Sequence, residues 1–127
     1  MATGLKKDLT PDEINQYWTA YFAAVDTLIV VQAKLEELEK KATDLGERSG
    51  YRADRLRVEA DIELLRAKRL AFNANRSPIN PPDQSTVDEM LKLATEVSKK
   101  TATRTQAATI VNIGASAMSE FNKIQTK

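Results

Sequence analysis

No proline interrupts this chain between Pro11 and Pro78, or after Pro82. Within those stretches apolar residues recur at steps of three and four, the spacing of one helix face. Proline inside a helix removes a hydrogen-bond donor and clashes with the preceding turn, so such long proline-free periodic stretches favour helices. The pattern predicts an all-α fold with helices at about residues 11–45, 51–75 and 86–125. They are expected to form an up-down-up antiparallel three-helix bundle built on a long helical hairpin. All 127 residues are assigned to one domain, with a flexible N-terminus at 1–9 and a proline-restricted connection at 77–84.

The first helix has a strong start signal. Thr10 can cap, Pro11 suits the first helical position, and Glu13 completes Thr-x-x-Glu. Ile14, Trp18, Tyr21, Val25, Leu28, Leu35 and Leu38 then mark a seam, which Phe22, Ile29 and Val30 widen. Gly46 is the expected stop. The second helix carries two stripes: Tyr51, Val58, Ile62, Leu65 and Phe72 on one, Leu56, Ala60, Ala67, Leu70 and Ala74 on the other. Two stripes suit a middle helix flanked on both sides. Ser85, with Asp88 three residues on, resembles a capping box for the third helix. That helix turns threonine-rich at Lys99–Gln106, and β-branched residues lower helix propensity, so a break near Thr101–Thr105 or at Gly114 competes with continuity.

Read as continuous, the three helices are roughly 52, 38 and 60 Å long at about 1.5 Å per residue. The third then overruns the others. The overrun carries Ile110, Val111, Ile113, Met118, Phe121 and Ile124, apolar surface that a second copy, another protein or a local fold-back must cover. Homodimerisation through Ala107–Ile124 is the simplest expectation, since two-fold pairing closes on itself.

A first hairpin turn at Glu47–Ser49 sets Val25 near Phe72 and Asp26 near Leu70, within reach of Arg69 or Arg66. A structural ion pair between Asp26 and Arg69 would offset the cost of placing a carboxylate among apolar neighbours. Tyr17, Trp18 and Tyr21 are expected to stack on Pro78–Pro82. Near the hairpin tip, Arg48, Arg52, Arg55 and Arg104, with Lys99 and Lys100, form a candidate basic patch, though nearby acidic residues can neutralise it.

Composition narrows the chemistry. With no cysteine and no histidine, thiol nucleophiles, thiolate metal sites and the usual neutral-pH acid–base group are missing. Phosphate-loop, zinc-protease and calcium-loop motifs are absent too. No catalytic residue, cofactor or metal site is assigned, and an enzyme is not expected. A net charge of +1 gives no strong field for nucleic acid or a membrane surface. No export signal is visible, so a cytoplasmic location is the expectation. The leading expectation is a protein–protein interaction module, either self-associating or acting as inhibitor or chaperone of a partner. Long hairpins with an extra helix resemble, at the level of class, bacterial immunity proteins and secretion chaperones. Alternatives are a nucleic-acid-binding accessory protein using the basic patch and a membrane-interface helix at Ala107–Phe121.

Overall fold

The computed structural model describes residues 4–126. They form four α-helices: α1 (Pro11–Lys41), α2 (Leu45–Asn73), α3 (Gln84–Lys99) and α4 (Ala107–Ile124), preceded by a short 3-10 turn at Lys6–Asp8. The all-helical class is as expected. The count is not, because the third expected helix is two.

Thr10 caps α1 as its sequence suggests: its side chain accepts from the Glu13 N–H, and the Glu13 carboxylate accepts from the Thr10 N–H. The other expected boundaries move. α1 stops at Lys41, and Asp44 caps α2 by accepting from the Gly46 N–H at 3.0 Å, so Gly46 sits inside α2 rather than ending α1. The tight turn at 42–44 displaces the hairpin register, and at the far end of the hairpin the displacement amounts to about two helical turns. Tyr17, not Val25, therefore stacks on Phe72, with ring centroids 3.9 Å apart. Gln32 meets Glu59 at 3.0 Å, and Glu39 meets Arg55 at 2.8 Å. For α3 the cap is Asp83, which accepts from the Thr86 N–H at 2.8 Å, in place of Ser85.

The Thr-rich segment breaks the helix. Residues 100–106 turn the chain, with Thr103 N bonded to Thr101 O and Gln106 N to Thr103 O. α4 then folds back along α1. Gly114 does not break it; helix α4 runs through that position. A Cβ there would lie 3.3 Å from Val31 Cγ2 and 3.5 Å from Leu28 Cδ2, so the glycine lets two backbones approach. The order of contacts makes an up-down-up-down arrangement: Gln16 meets Gln84, Lys34 reaches the Ser98 and Lys100 carbonyls, and Tyr17 meets Gln125.

The hub is α1. It packs on α2, α3 and α4, while α4 also meets α3 and, more sparingly, α2. Helix α2 is thus not the middle helix its two stripes suggested. Tyr17, Ala24, Leu28, Val31 and Leu35 are fully buried along α1, and Leu65, Phe72, Met90, Val97, Ile110 and Phe121 converge on them. The aromatic residues expected to lie on the prolines gather Phe72 and Phe121: Tyr17 and Trp18 meet Phe72, and Tyr17 and Tyr21 each hold a ring contact with Phe121, at 5.8 and 5.9 Å.

Residues 4–9, expected to be loose, are fastened. Gly4 and Ile79 exchange both backbone hydrogen bonds, Lys6 Nζ donates to Asn73 Oδ1, and the Lys7 N–H donates to Asn75 Oδ1. Asn75 has φ 57°, the left-handed conformation that asparagine tolerates better than most residues. The proline connection is anchored from the other side by Asn80, whose N–H donates to the Ile124 carbonyl at 2.7 Å. Residues 1–3 of the expected flexible segment lie outside the described residues.

Candidate interaction face

The six residues assigned to partner binding lie together on α4, but they face this chain's own core. Ile110, Ile113, Met118, Phe121 and Ile124 are buried, and Val111 is half-buried against the same core. The sequence expectation of an outside partner for these side chains is corrected: once the 100–106 turn reverses the chain, α1 supplies the cover.

Most of the exposed large apolar side chains lie on α2, with Phe22 and Ile29 on α1 and Leu91 on α3. Tyr51, Val58, Leu65 and Phe72 recur every seventh residue on its inner side, the last three buried and Tyr51 half-buried. A second seven-residue series, Ala53, Ala60, Ala67 and Ala74, is exposed throughout, interleaved with Leu56, Glu63 and Leu70, which repeat at the same period. At about 100° per residue, Ala60 points about 200° from Val58, so this seam stands opposite the core. Leu56 is 51% and Leu70 61% exposed, with Leu64 at 46% beside them. Two seams on opposite sides of one helix is the pattern read from the sequence; α1 takes the first, and among the described residues the second stays exposed.

Phe22 and Ile29 on α1, expected to widen the inner seam, are also exposed. Ile29 shares a surface cleft with Gln32, Glu59, Ile62, Glu63 and Arg66. Charged groups line the seam's edges: Arg57 pairs with Asp54 at 3.0 Å and Arg66 with Glu63 at 2.7 Å.

The candidate basic patch is dispersed. Arg55 is bound to both Glu39 and Glu59 at 2.8 Å, which holds those two carboxyls below their ordinary range. Arg52 lies 3.7 Å from Glu39, Arg104 lies 3.0 Å from Glu47, and Arg48 donates to the Ala42 carbonyl at 2.8 Å. Each arginine is therefore engaged locally, and Arg104 and Arg55 answer to different carboxylates.

No ion pair joins Asp26 to Arg69. Asp26 is exposed on the α3 side of α1, lining a shallow cleft with Val30, Ala94, Thr95, Ser98 and Lys99. Its apolar sequence neighbours misled: at about 100° per residue it points about 200° away from Leu28. Arg69 stays near Tyr17 and Tyr21, with its Nε buried and unbonded.

One polar cluster went unread. Lys68 is only 5% exposed; its Nζ donates to Asn122 Oδ1 at 2.8 Å and to the Gln125 carbonyl. Gln125, fully buried, donates to Lys68 O at 2.7 Å and Ser77 Oγ at 3.0 Å, and accepts from Tyr17 OH at 2.6 Å. Burial pushes the Lys68 ammonium below, and the Tyr17 phenol above, its usual range. The signal was present, since Lys68 occupies an inner-stripe position between Leu65 and Phe72. The ammonium ties α2 to Asn122 of α4 and to the Gln125 carbonyl that follows it. Among the described residues no group of three or more acidic side chains gathers to hold a metal, and no helix is long and apolar enough to cross a membrane.

Compared with protein-family models, with curated proteins and with solved structures, the chain matches none.

Proposed function

We propose that this chain is a non-enzymatic interaction module that docks a helix on the outer face of α2. The carrying observation is the exposed seam Ala53–Leu56–Ala60–Ala67–Leu70–Ala74, with Leu56 and Leu70 each more than half exposed on a helix otherwise well anchored. An extended apolar seam of this kind, broken only at Glu63, marks protein contacts, whereas single exposed leucines mean little. A strict seven-residue repeat is what a supercoiling partner helix requires. Alanines permit close approach, and leucines supply the buried area.

The experiment is to compare tagged wild-type protein with Leu56→Glu/Leu70→Glu, purified from the cells that make it. Both positions face water, so helix content and melting should match the wild type. An assembly, of this chain with itself or with another protein, should be present in the wild type and lost in the variant. Equal assembly in both would remove the outer face of α2 as the site.

A further inference from the structure

Resting on that reading, we propose that the helix docked on α2 is α2 of a second copy, running antiparallel about a two-fold axis that passes between Asp61 and Ile62. Three features of the face argue for it.

The first is size complementarity. In that register Ala53 stands level with Leu70 of the second copy, Leu56 with Ala67, and Ala60 with Glu63, and the two-fold repeats each layer in reverse order. Every seam leucine then meets an alanine. Large side chains seat against small ones along the whole contact, as interdigitated helix packing requires. A parallel pairing would set alanine beside alanine and leucine beside leucine, leaving gaps at the alanine layers.

The second is charge. Glu59 and Arg66 flank the seam on one side, seven residues apart, so an antiparallel partner sets Glu59 of one copy facing Arg66 of the other, twice per dimer. Parallel pairing sets like charges level. The groups need little rearrangement: Arg66 is 53% exposed at its side chain and already reaches along the helix to Glu63, and the bonds from Gln32 and Arg55 to Glu59 both fall on its Oε2.

The third is the polar break in the seam. Glu63 is the only charged residue among its apolar positions 53, 56, 60, 63, 67, 70 and 74. Self-pairing brings both copies of it next to the axis, each already held by its own Arg66 at 2.7 Å. A polar residue near the centre of a helix pair marks the register, and sliding by one heptad would set Arg66 against Arg66, or Glu59 against Glu59, of the two copies.

The chain has no cysteine, so introduced thiols report contacts without background. The test mixes Ala53→Cys protein with Leu70→Cys protein under mild oxidation, beside light-scattering mass across a concentration series. The expected result is a mass rising to twice the monomer, a disulfide-linked heterodimer of the two variants in the mixture, and little linkage for Ala53→Cys alone. In the antiparallel dimer its two copies stand about 26 Å apart along the axis, 17 residues at about 1.5 Å each. Efficient linkage of Ala53→Cys to itself would overturn the antiparallel arrangement. A wild type that stays monomeric throughout would overturn self-pairing. If that monomer still loses a co-purifying protein on Leu56→Glu/Leu70→Glu, the docking face survives and only the second copy is excluded. If co-purification is indifferent to the pair of substitutions, both fall together.

Discussion

The apolar face of α4 and the outer face of α2 look alike in sequence and have opposite fates. Both are helix faces built from residues at steps of three and four. The α4 face holds Ile110, Phe121 and Ile124 at 0%, 0% and 3% exposure, while Leu56 and Leu70 of α2 remain more than half exposed. What separates them is connection. A seven-residue turn at 100–106 returns α4 onto α1, whereas α2 has one hub to lie on and sets only its inner seam there. Amphipathicity says that a face needs cover, and topology decides which face the chain covers for itself.

The largest contrast comes from truncating one residue on each face. Phe121→Ala should cost about 3–5 kcal/mol of stability, since it empties a fully buried aromatic site. Leu70→Ala should stay within about 0.5 kcal/mol in the unassembled protein. Denaturant melts of the two settle it, and similar losses would mean that the outer face is covered in the monomer. Gly114→Val is next: the added side chain meets Val31 at 3.3 Å and should cost about 1–3 kcal/mol by forcing α4 off α1. A neutral result there would show that α4 has slack the packing does not suggest.

Lys68→Ala leaves the Asn122 and Gln125 oxygens without their donor and should cost about 1–3 kcal/mol. If it melts like the wild type, the cluster does not hold α4. Smaller is the alkaline limb. Burial raises the Tyr17 phenol, so the folded state keeps that proton where the unfolded chain loses it, above about pH 10. Its stabilising contribution is complete below that pH and drains away as pH rises. Tyr17→Phe should cost about 1 kcal/mol near neutrality and flatten the decline above about pH 10. An unchanged slope would assign the alkaline loss elsewhere. Smallest of all, Asp26→Ala should leave the melting point nearly unmoved, because the carboxylate faces water beside α3.

Much of the fold was legible where a local rule acts alone. Thr10, Pro11 and Glu13 cap α1 as their types dictate, and both seams of α2 were visible as periods. The 100–106 break was visible as a run of threonines, but whether it bends or reverses the chain depends on how well Gly114 fits against Val31, which is a tertiary fact. Register was misread because Gly46 looked like a stop and Asp44 is the actual cap. Moving that turn by a few residues carried Phe72 from Val25 to Tyr17 and Asp26 away from Arg69. As for the site, the outer seam was seen and given to the wrong neighbour, while the α4 residues were seen and given to an outside one.

The hub arrangement also has a consequence in time. Gln32 and Glu59, which tie α1 to α2, are 27 residues apart, whereas Tyr17 and Gln125, which tie α1 to the end of α4, are 108 apart. Closing the longer loop costs about 1.2 kcal/mol more chain entropy, by the logarithm of that ratio. The hairpin is therefore the cheaper structure to form first, and the groove of Leu28 and Val31 stands open until α4 arrives. Substitutions in α4 should then speed unfolding more than they slow folding. During that interval two apolar faces of the hairpin stand bare rather than one, and α4 is what distinguishes the finished protein from a sticky hairpin.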